Sequence, residues 1–341
     1  MRIMLVGPAF DIAGASLNLL RIADILAEAG HTLSVAAMER TEGSLRQAYL
    51  DRGIPVLDAF SARDFDLALC NSIMTGTFVE RIARRVPVIW WIRECRIGTA
   101  LIAQQPVLGE AFGHARRIVF QSRYIRDQVY ARQLRQVPAD RVRIVPQGIL
   151  VPERFTRPAR SSRNLVVAAG TLTRRKRPRD VFDAVATLDR DDTQLVAVGK
   201  VQSVHASVPA MAERNPRRFR ITGELSREDC YGWIAEADVV AHAAADESQP
   251  NVLIEAALAG TPIAASNLPV LEECGWVDGE NCLLHEVGDV KALAANIARL
   301  LDDRELARRL AARAGEAVCP RFAMPLFRQR LLDLIEDAAG S

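Results

Sequence analysis

Long apolar runs are missing from this 341-residue chain. The opening Met1–Val6 is cut short by Gly7-Pro8, and Val86–Ile92 falls far short of the ~20 residues that a membrane span needs. Neither a secretion signal nor a membrane-spanning segment is expected. Cysteine patterns are missing too. The six cysteines (70, 95, 230, 274, 282 and 319) form no C-x-x-C pair and no cluster with histidine, so they read as reduced thiols of a cytoplasmic protein. There is no P-loop and no G-x-G-x-x-G, which weakens kinase, ATPase and dehydrogenase readings. Lysine is scarce, with Lys176, Lys200 and Lys291 the three in the chain.

What is present describes an ordered protein. Apolar residues make up 49% and charged residues 25%, and the length suits two domains of roughly 150 residues each. Net charge is +2, yet residues 81–163 hold seventeen arginines against five acids. Such asymmetry fits either a contact with an anionic partner or a solvated helical face.

Strand, loop and helix alternate along the chain. Ile3–Val6 reads as a strand, Gly7–Gly14 as a loop and Ala15–Ala29 as a helix stopped by Gly30. Leu33–Ala37, Leu67–Cys70, Val88–Ile92 and Ile118–Phe120 continue a buried parallel sheet. A second unit opens at Leu165–Gly170 and runs through a basic loop, Thr171–Arg177, to a helix begun at Pro178. Strands at Leu195–Val198, Phe219–Thr222 and Val239–Ala241 follow, with a capping-box spacing from Ser226 to Asp229. Residues 146–164 are rich in Pro, Gly, Ser and Arg and read as a linker, and helices close the chain. The fold class is therefore α/β, with two doubly wound domains facing across a cleft and ligands at the carboxyl ends of strands.

The most informative stretch is Asp246-Glu247-Ser248-Gln249-Pro250-Asn251-Val252-Leu253-Ile254-Glu255. Glu247 precedes a helix expected to start near Pro250, and Glu255 lies inside it. The free N–H groups of Asn251 and Val252, at the positive end of that helix, offer a phosphate site. Glu247 suits sugar hydroxyls or positive charge developing at an anomeric carbon, and Glu255 suits a vicinal diol such as a ribose. On spacing alone, Glu247 also reads as a favourable acid near a helix start and Glu255 as a surface residue.

This stretch, with the following Ala-Ala-Leu-Ala-Gly260-Thr-Pro262-Ile-Ala-Ala-Ser266, closely resembles the signature of the GT-B retaining glycosyltransferases of family 4. The resemblance spans most of the chain: Met1–Val6 with Gly14 and Gly30-His31, Arg143–Gly148, Gly170–Lys176, Asp278–Asn281 and the C-terminal helices. It implies two Rossmann-like domains, at 1–150 and 165–320, joined by a linker at 151–164. A helix in 321–341 is expected to pack back toward the N-terminal domain. It implies catalytic roles for Glu247, facing the donor sugar, and for Lys176 on the donor diphosphate. Donor binding falls to Gly14, Arg174, Arg175, Ser248, Gln249, Pro250, Asn251, Val252 and Glu255. There are departures. Thr171 stands where the family often has Arg, so Arg174 or Arg175 takes that charge. Ala243-Ala244 replaces Pro-Ser, and Asn267-Leu268 replaces Gly-Gly.

Trp90-Trp91-Ile92-Arg93-Glu94 ends a strand where relatives often carry a histidine. Arg93 and Glu94 are candidate acceptor-binding residues, or else a strand-end ion pair. His31 reads as a cap at a strand start and His242 as a core residue. Two D-x-D matches, Asp64–Asp66 and Asp189–Asp191, raise a metal-dependent reading, which the second loses by lying at a helix end before a strand. The expected function is retaining, metal-independent transfer of a sugar from a nucleoside diphosphate (UDP, by family frequency) to an acceptor hydroxyl. The acceptor is expected to be a saccharide or lipid-linked sugar of polysaccharide, lipopolysaccharide or glycolipid synthesis. No cofactor, metal or nucleic acid is expected, and residues 81–163 could meet an anionic membrane surface from the cytoplasmic side. The alternatives are a nucleotide-sugar epimerase or hydrolase of the same fold and a non-catalytic nucleotide-sugar-binding scaffold.

Overall fold

The computed structural model describes residues 1–11, 14–38, 43–59, 61–159 and 163–340. Parts of the expected Gly7–Gly14 loop (12 and 13) and of the 151–164 linker (160–162) lie outside the described residues. The chain forms two compact units, Met1–Gln147 with Pro325–Ser341, and Gly148–Met324.

The first unit is built on one parallel sheet of β1 (Arg2–Gly7), β2 (Thr32–Ala37), β3 (Leu67–Asn71), β4 (Val88–Trp91), β5 (Arg117–Phe120) and β6 (Val142–Ile144). Their order across the sheet is β2-β1-β3-β4-β5-β6. Every residue of β3, β4 and β5 is buried, the pattern of a sheet covered on both faces. Strand alternation sends neighbouring side chains to opposite faces. Trp90 accordingly packs edge-on against Phe112 at 4.9 Å, while Trp91 meets Phe327 of the last helix, Met324–Ala339, at 6.0 Å. That helix is fixed further by Asp337, which pairs with Arg117 of β5 and Arg143 of β6, both at 2.7 Å.

The second unit holds β7 (Asn164–Ala169), β8 (Leu172–Thr173), β9 (Thr193–Val198), β10 (Val201–Ser203), β11 (Phe219–Ile221), β12 (Val239–His242), β13 (Ile263–Ser266) and β14 (Leu283–His285). Six of them make a parallel sheet in the order β11-β9-β7-β12-β13-β14, while β8 and β10 pair separately. That small pair joins the start of the basic loop to the segment after β9, a pairing with no periodic signal in the sequence. Phe182, from the helix Pro178–Thr187, stacks on Phe219 at 5.4 Å in the core beneath. Helices stop where left-handed glycines allow it, at Gly30 (φ 83°) and Gly260 (φ 71°).

The linker is not a free tether. Phe155 packs edge-on against Tyr231 at 4.9 Å, and Arg157 reaches the carbonyl of Ala235 and the carboxylate of Glu236. A Cβ on Gly232 would lie 2.1 Å from the Thr156 carbonyl oxygen, so a bare glycine lets this segment dock on the helix Arg227–Glu236. Among the described residues no helix is long and apolar enough to cross a membrane.

Candidate active site

In an open parallel sheet, ligands gather beyond the carboxyl ends of strands where the strand order reverses. In the second unit the reversal falls between β7 and β12, which are direct neighbours. The loop after β7 begins with Gly170 and carries Arg174, Arg175 and Lys176. The loop after β12 carries Glu247 and leads to the helix Asn251–Ala259. Segments far apart in sequence thus meet at one sheet edge.

Glu247 is 7% exposed and has basic groups on both carboxylate oxygens. Lys176 Nζ donates to Oε1, Arg175 Nη1 lies 3.2 Å from Oε2, and His242 Nε2 lies 3.2 Å from Oε1. Burial alone would raise the carboxyl pKa. The Lys176 ammonium, the His242 hydrogen bond and Arg175 outweigh it and hold the pKa well below the usual carboxylate range. Glu247 is therefore ionised at neutral pH. Arg175 also donates to the Asp246 carbonyl, and its own carbonyl accepts from the Ala245 N–H at 2.9 Å, which ties the two loops together.

Gly170 has φ 114°, and a Cβ placed there would sit 3.9 Å from both Lys176 Nζ and Val252 Cγ2. The lysine and the first turn of the helix therefore converge over a bare patch of backbone. That first turn is less open than expected. The Asn251 N–H is taken by the Gln249 carbonyl at 2.9 Å, because Pro250 turns the chain tightly at the helix start. Leu253 and Ile254 donate to the Pro250 carbonyl, which leaves Val252 as the first-turn N–H without a carbonyl partner among the described residues. Gln249 is also held by its side chain, whose Nε2 donates to Asn251 Oδ1 at 3.1 Å. Ser248 lies between Glu247 and this turn.

Glu255 faces Arg227 at 4.0 Å on the neighbouring helix, and its charge helps to raise the pKa values of Cys230 and Tyr231, which burial raises most. Arg174 is exposed and lines a pocket of about 240 Å³ with Arg177, Arg179, Asp180 and His205, away from Glu247. Of the two arginines offered for the charge missing at Thr171, Arg175 is the one beside Glu247.

In the first unit the order reverses between β1 and β3. Gly14 opens the helix Gly14–Glu28 there, and among the described residues no atom beyond its chain neighbours lies within 4 Å of where a Cβ would stand. Ser72, just past β3, is a non-glycine residue at φ 85°. Glu94 holds that turn, accepting from Ser72 Oγ, from the Ile73 N–H at 2.8 Å and from the Arg93 N–H at 3.0 Å. Arg93 lies over Trp91 at 5.5 Å and donates to Gln147 Oε1. The Arg93 and Glu94 side chains thus take different partners, Gln147 for the first and the Ser72 turn for the second.

His242, a core residue by pattern, is buried and is also a direct neighbour of Glu247. No sequence motif marks Arg227, the partner of Glu255. The signal for His242 was available: a histidine on the last residue of a strand that feeds the acid-bearing loop. The Asp64–Asp66 match is a strand-start cap, since Asp66 accepts from the Arg2 N–H at 2.8 Å and pairs with its guanidinium. Among the described residues no group of three His, Cys, Asp or Glu is placed to hold a metal ion.

Comparison with known proteins follows the same lines. The chain is 26% identical over 174 residues to the lipopolysaccharide core biosynthesis glycosyltransferase LpsE of Rhizobium meliloti, covering 50% of this chain and 49% of that one. It is 29% identical over 176 residues to the MMP alpha-(1->4)-mannosyltransferase of Mycolicibacterium hassiacum, covering 51% of this chain and 43% of that one. The chain thus spans about half the length of the curated relatives it matches. Among solved structures, HepE of Anabaena in complex with UDP matches with a TM-score of 0.83 at 19% identity, over 98% of this chain and 100% of that one. Sucrose-phosphate synthase of Thermosynechococcus elongatus matches with a TM-score of 0.77 at 18% identity, over the whole of both chains. At such identities the likeness establishes the fold. The family model for glycosyl transferases group 1 matches residues 152–317 and that for glycosyl-transferase family 4 matches residues 1–147, so the chain belongs to glycosyltransferase family 4, with the GT-B fold.

Proposed function

We propose that this protein transfers a sugar, with retention and without a metal ion, from a UDP-sugar to a hydroxyl of a saccharide or lipid-linked acceptor in lipopolysaccharide or polysaccharide synthesis. The observation that carries the reading is the buried, ionised Glu247 held by Lys176 and Arg175 at the β7/β12 reversal. A leaving diphosphate gains negative charge as the anomeric bond breaks, and fixed cations lower that barrier. Lys176, Arg175 and the Val252 N–H supply the positive charge. Glu247 then meets the sugar, either on its hydroxyls or opposite the charge developing at its anomeric carbon. Glu255 and Arg227 mark the ribose end of the site, and Arg174 guides the donor from outside. Gly14 and Arg93 belong to the acceptor-bearing unit, where Glu94 supports the Ser72 turn rather than touching the acceptor. UDP as the nucleotide draws support from the UDP complex of HepE, and the acceptor class from the name of LpsE.

The experiment is diphosphate release across UDP-, GDP- and ADP-sugars, with and without acceptors, together with NMR assignment of the product anomer. Release from a UDP-sugar that requires acceptor and gives a product of unchanged anomeric configuration is expected, and excess EDTA should leave the rate unaltered. Acceptor-independent release would favour a hydrolase or epimerase. Donor-dependent thermal protection without any release would favour a binding scaffold.

The arginine-rich 81–163 region has less free charge than its count suggests, since Arg117 and Arg143 are paired with Asp337 and Arg126 with Asp127. Arg84 is paired as well, with Glu80 at 3.6 Å, so contact with an anionic surface rests on Arg85 and Arg116, which line a depression of about 450 Å³. Such binding to anionic vesicles should weaken steeply with salt.

A further inference from the structure

We propose that His242 is a positioning residue whose Nε2–H keeps Glu247 in place when a donor diphosphate draws Lys176 and Arg175 away from it. The inference rests on the function proposed above and adds a residue that the family signature does not contain.

Among the described residues Glu247 has three side-chain partners, and they differ in kind. Lys176 and Arg175 are cations on long side chains from a loop, 20% and 38% exposed. A diphosphate offers them more negative charge than a single carboxylate does, so an arriving donor competes for both. His242 is of the other kind. It is the last residue of β12, whose backbone is registered against Ala265 of β13, and its side chain is 4% exposed. Burial pushes its pKa down against the pull of Glu247, so the ring is neutral at physiological pH and a diphosphate gives it no comparable reason to move.

The chemistry of the pair fixes the tautomer. An ionised carboxylate only accepts, so at 3.2 Å the histidine Nε2 must carry the proton and Nδ1 must be bare. Nδ1 is buried without a hydrogen-bond partner among the described residues. It belongs to a ring that lines a cavity of about 20 Å³ together with Gly170, Lys176 and Ala243. A leucine in place of His242 would fill similar space but leave Oε1 of Glu247 with no donor once Lys176 has turned to the diphosphate. An unpartnered carboxylate in a site this buried would then reorient or take up a proton.

The test has two arms that fail separately. In protein labelled with ¹⁵N-histidine, with the signal assigned from its loss in His242→Leu, ring-nitrogen shifts should show a neutral ring protonated on Nε2. The same should hold after saturation with UDP. An Nδ1–H tautomer, or a charged ring at pH 7.5, would overturn the proposal whether or not the protein turns over any sugar. In the kinetic arm, with UDP-glucose or whichever donor the wild type uses, His242→Leu should lower kcat by about 10–100-fold, the range for partners that orient a reacting group. The donor KM should stay near the wild-type value, and His242→Gln, whose amide nitrogen reaches the place of Nε2, should recover much of the loss. A leucine variant with wild-type kcat, or a glutamine variant no better than leucine, would refute the positioning role. A wild type inactive with every donor would defeat the functional reading, and the tautomer would still decide the placement of His242.

Discussion

Glu247 stays charged in a buried site because donors reach both of its oxygens, and each of those donors has a further use. Lys176 and Arg175 neutralise it in the empty protein and are the cations a diphosphate needs. Replacing Glu247 or Lys176 by alanine should each lower transfer by about 10²-fold or more, the scale for groups that stabilise charge in a transition state. Steady-state rates with saturating acceptor test this, and near wild-type values in both variants would sink the assignment. Acidity acts through the histidines and Glu247. Burial lowers the pKa values of His242, His285 and His31, so their neutral forms are favoured in the folded protein. Below about 6.5 the unfolded chain then binds more protons than the folded one, and stability falls as pH drops. Glu247, whose pKa is depressed, adds to the loss in the carboxylate range. The melting temperature should fall between pH 7.5 and 5.5, and less so in His242→Leu. An equal fall in the variant would show that His242 is not buried neutral.

At the scale of elements, the site is made by close approaches of backbone that side chains would prevent. Gly199 follows β9 at φ 141°, and a Cβ there would lie 2.3 Å from the Gly170 carbonyl oxygen. Gly199→Ala should therefore displace the start of the lysine-bearing loop and cost about 2 kcal/mol, the range for strained positive-φ positions. Denaturant unfolding reads the stability, and protection by UDP should weaken beyond what the lost stability explains. A fully protected, fully stable variant would mean that the two loops do not touch as described. The Ser72 turn in the first unit follows a similar logic. A strained residue at the end of β3 is stabilised by the part-buried carboxylate of Glu94, and the carbonyl of Ser72 accepts from Trp90 Nε1 at 3.0 Å. The pattern Trp90–Glu94 was legible as a strand end bearing charged residues. Which of them is committed to holding a turn was not, because the partner lies more than twenty positions away in sequence.

At the scale of the molecule, the chain leaves the first unit after Gln147 and returns to it at Pro325. The return is secured by apolar packing of Phe327 on Trp91 and by Asp337 between Arg117 and Arg143. Arg117 is 7% exposed and Asp337 33%, so the pair is part-buried and worth less than a fully enclosed one. Asp337→Ala would still leave the buried guanidinium of Arg117 without its carboxylate, at a cost of about 2 kcal/mol. Thermal unfolding should show the loss confined to the unit that contains β1–β6, followed through hydrogen exchange of that sheet. An unchanged exchange pattern there would mean that the last helix contributes little to the unit.

The sequence by itself determined the alternation of strand and helix, the glycines that end helices, the two-unit organisation and the residues of the acid and lysine segments. These are local properties. Periodic burial, backbone conformation and cap chemistry all act within a few residues, so they can be read along the chain. Tertiary structure alone decided which of these residues meet. It set Arg175 rather than Arg174 beside Glu247, separated Glu255 from Glu247 by turning it toward Arg227, and closed the Asn251 N–H against Gln249. It also made His242, a core residue by pattern, a partner of the central carboxylate. The physical reason is the reversal of strand order between β7 and β12, which joins loops about seventy residues apart.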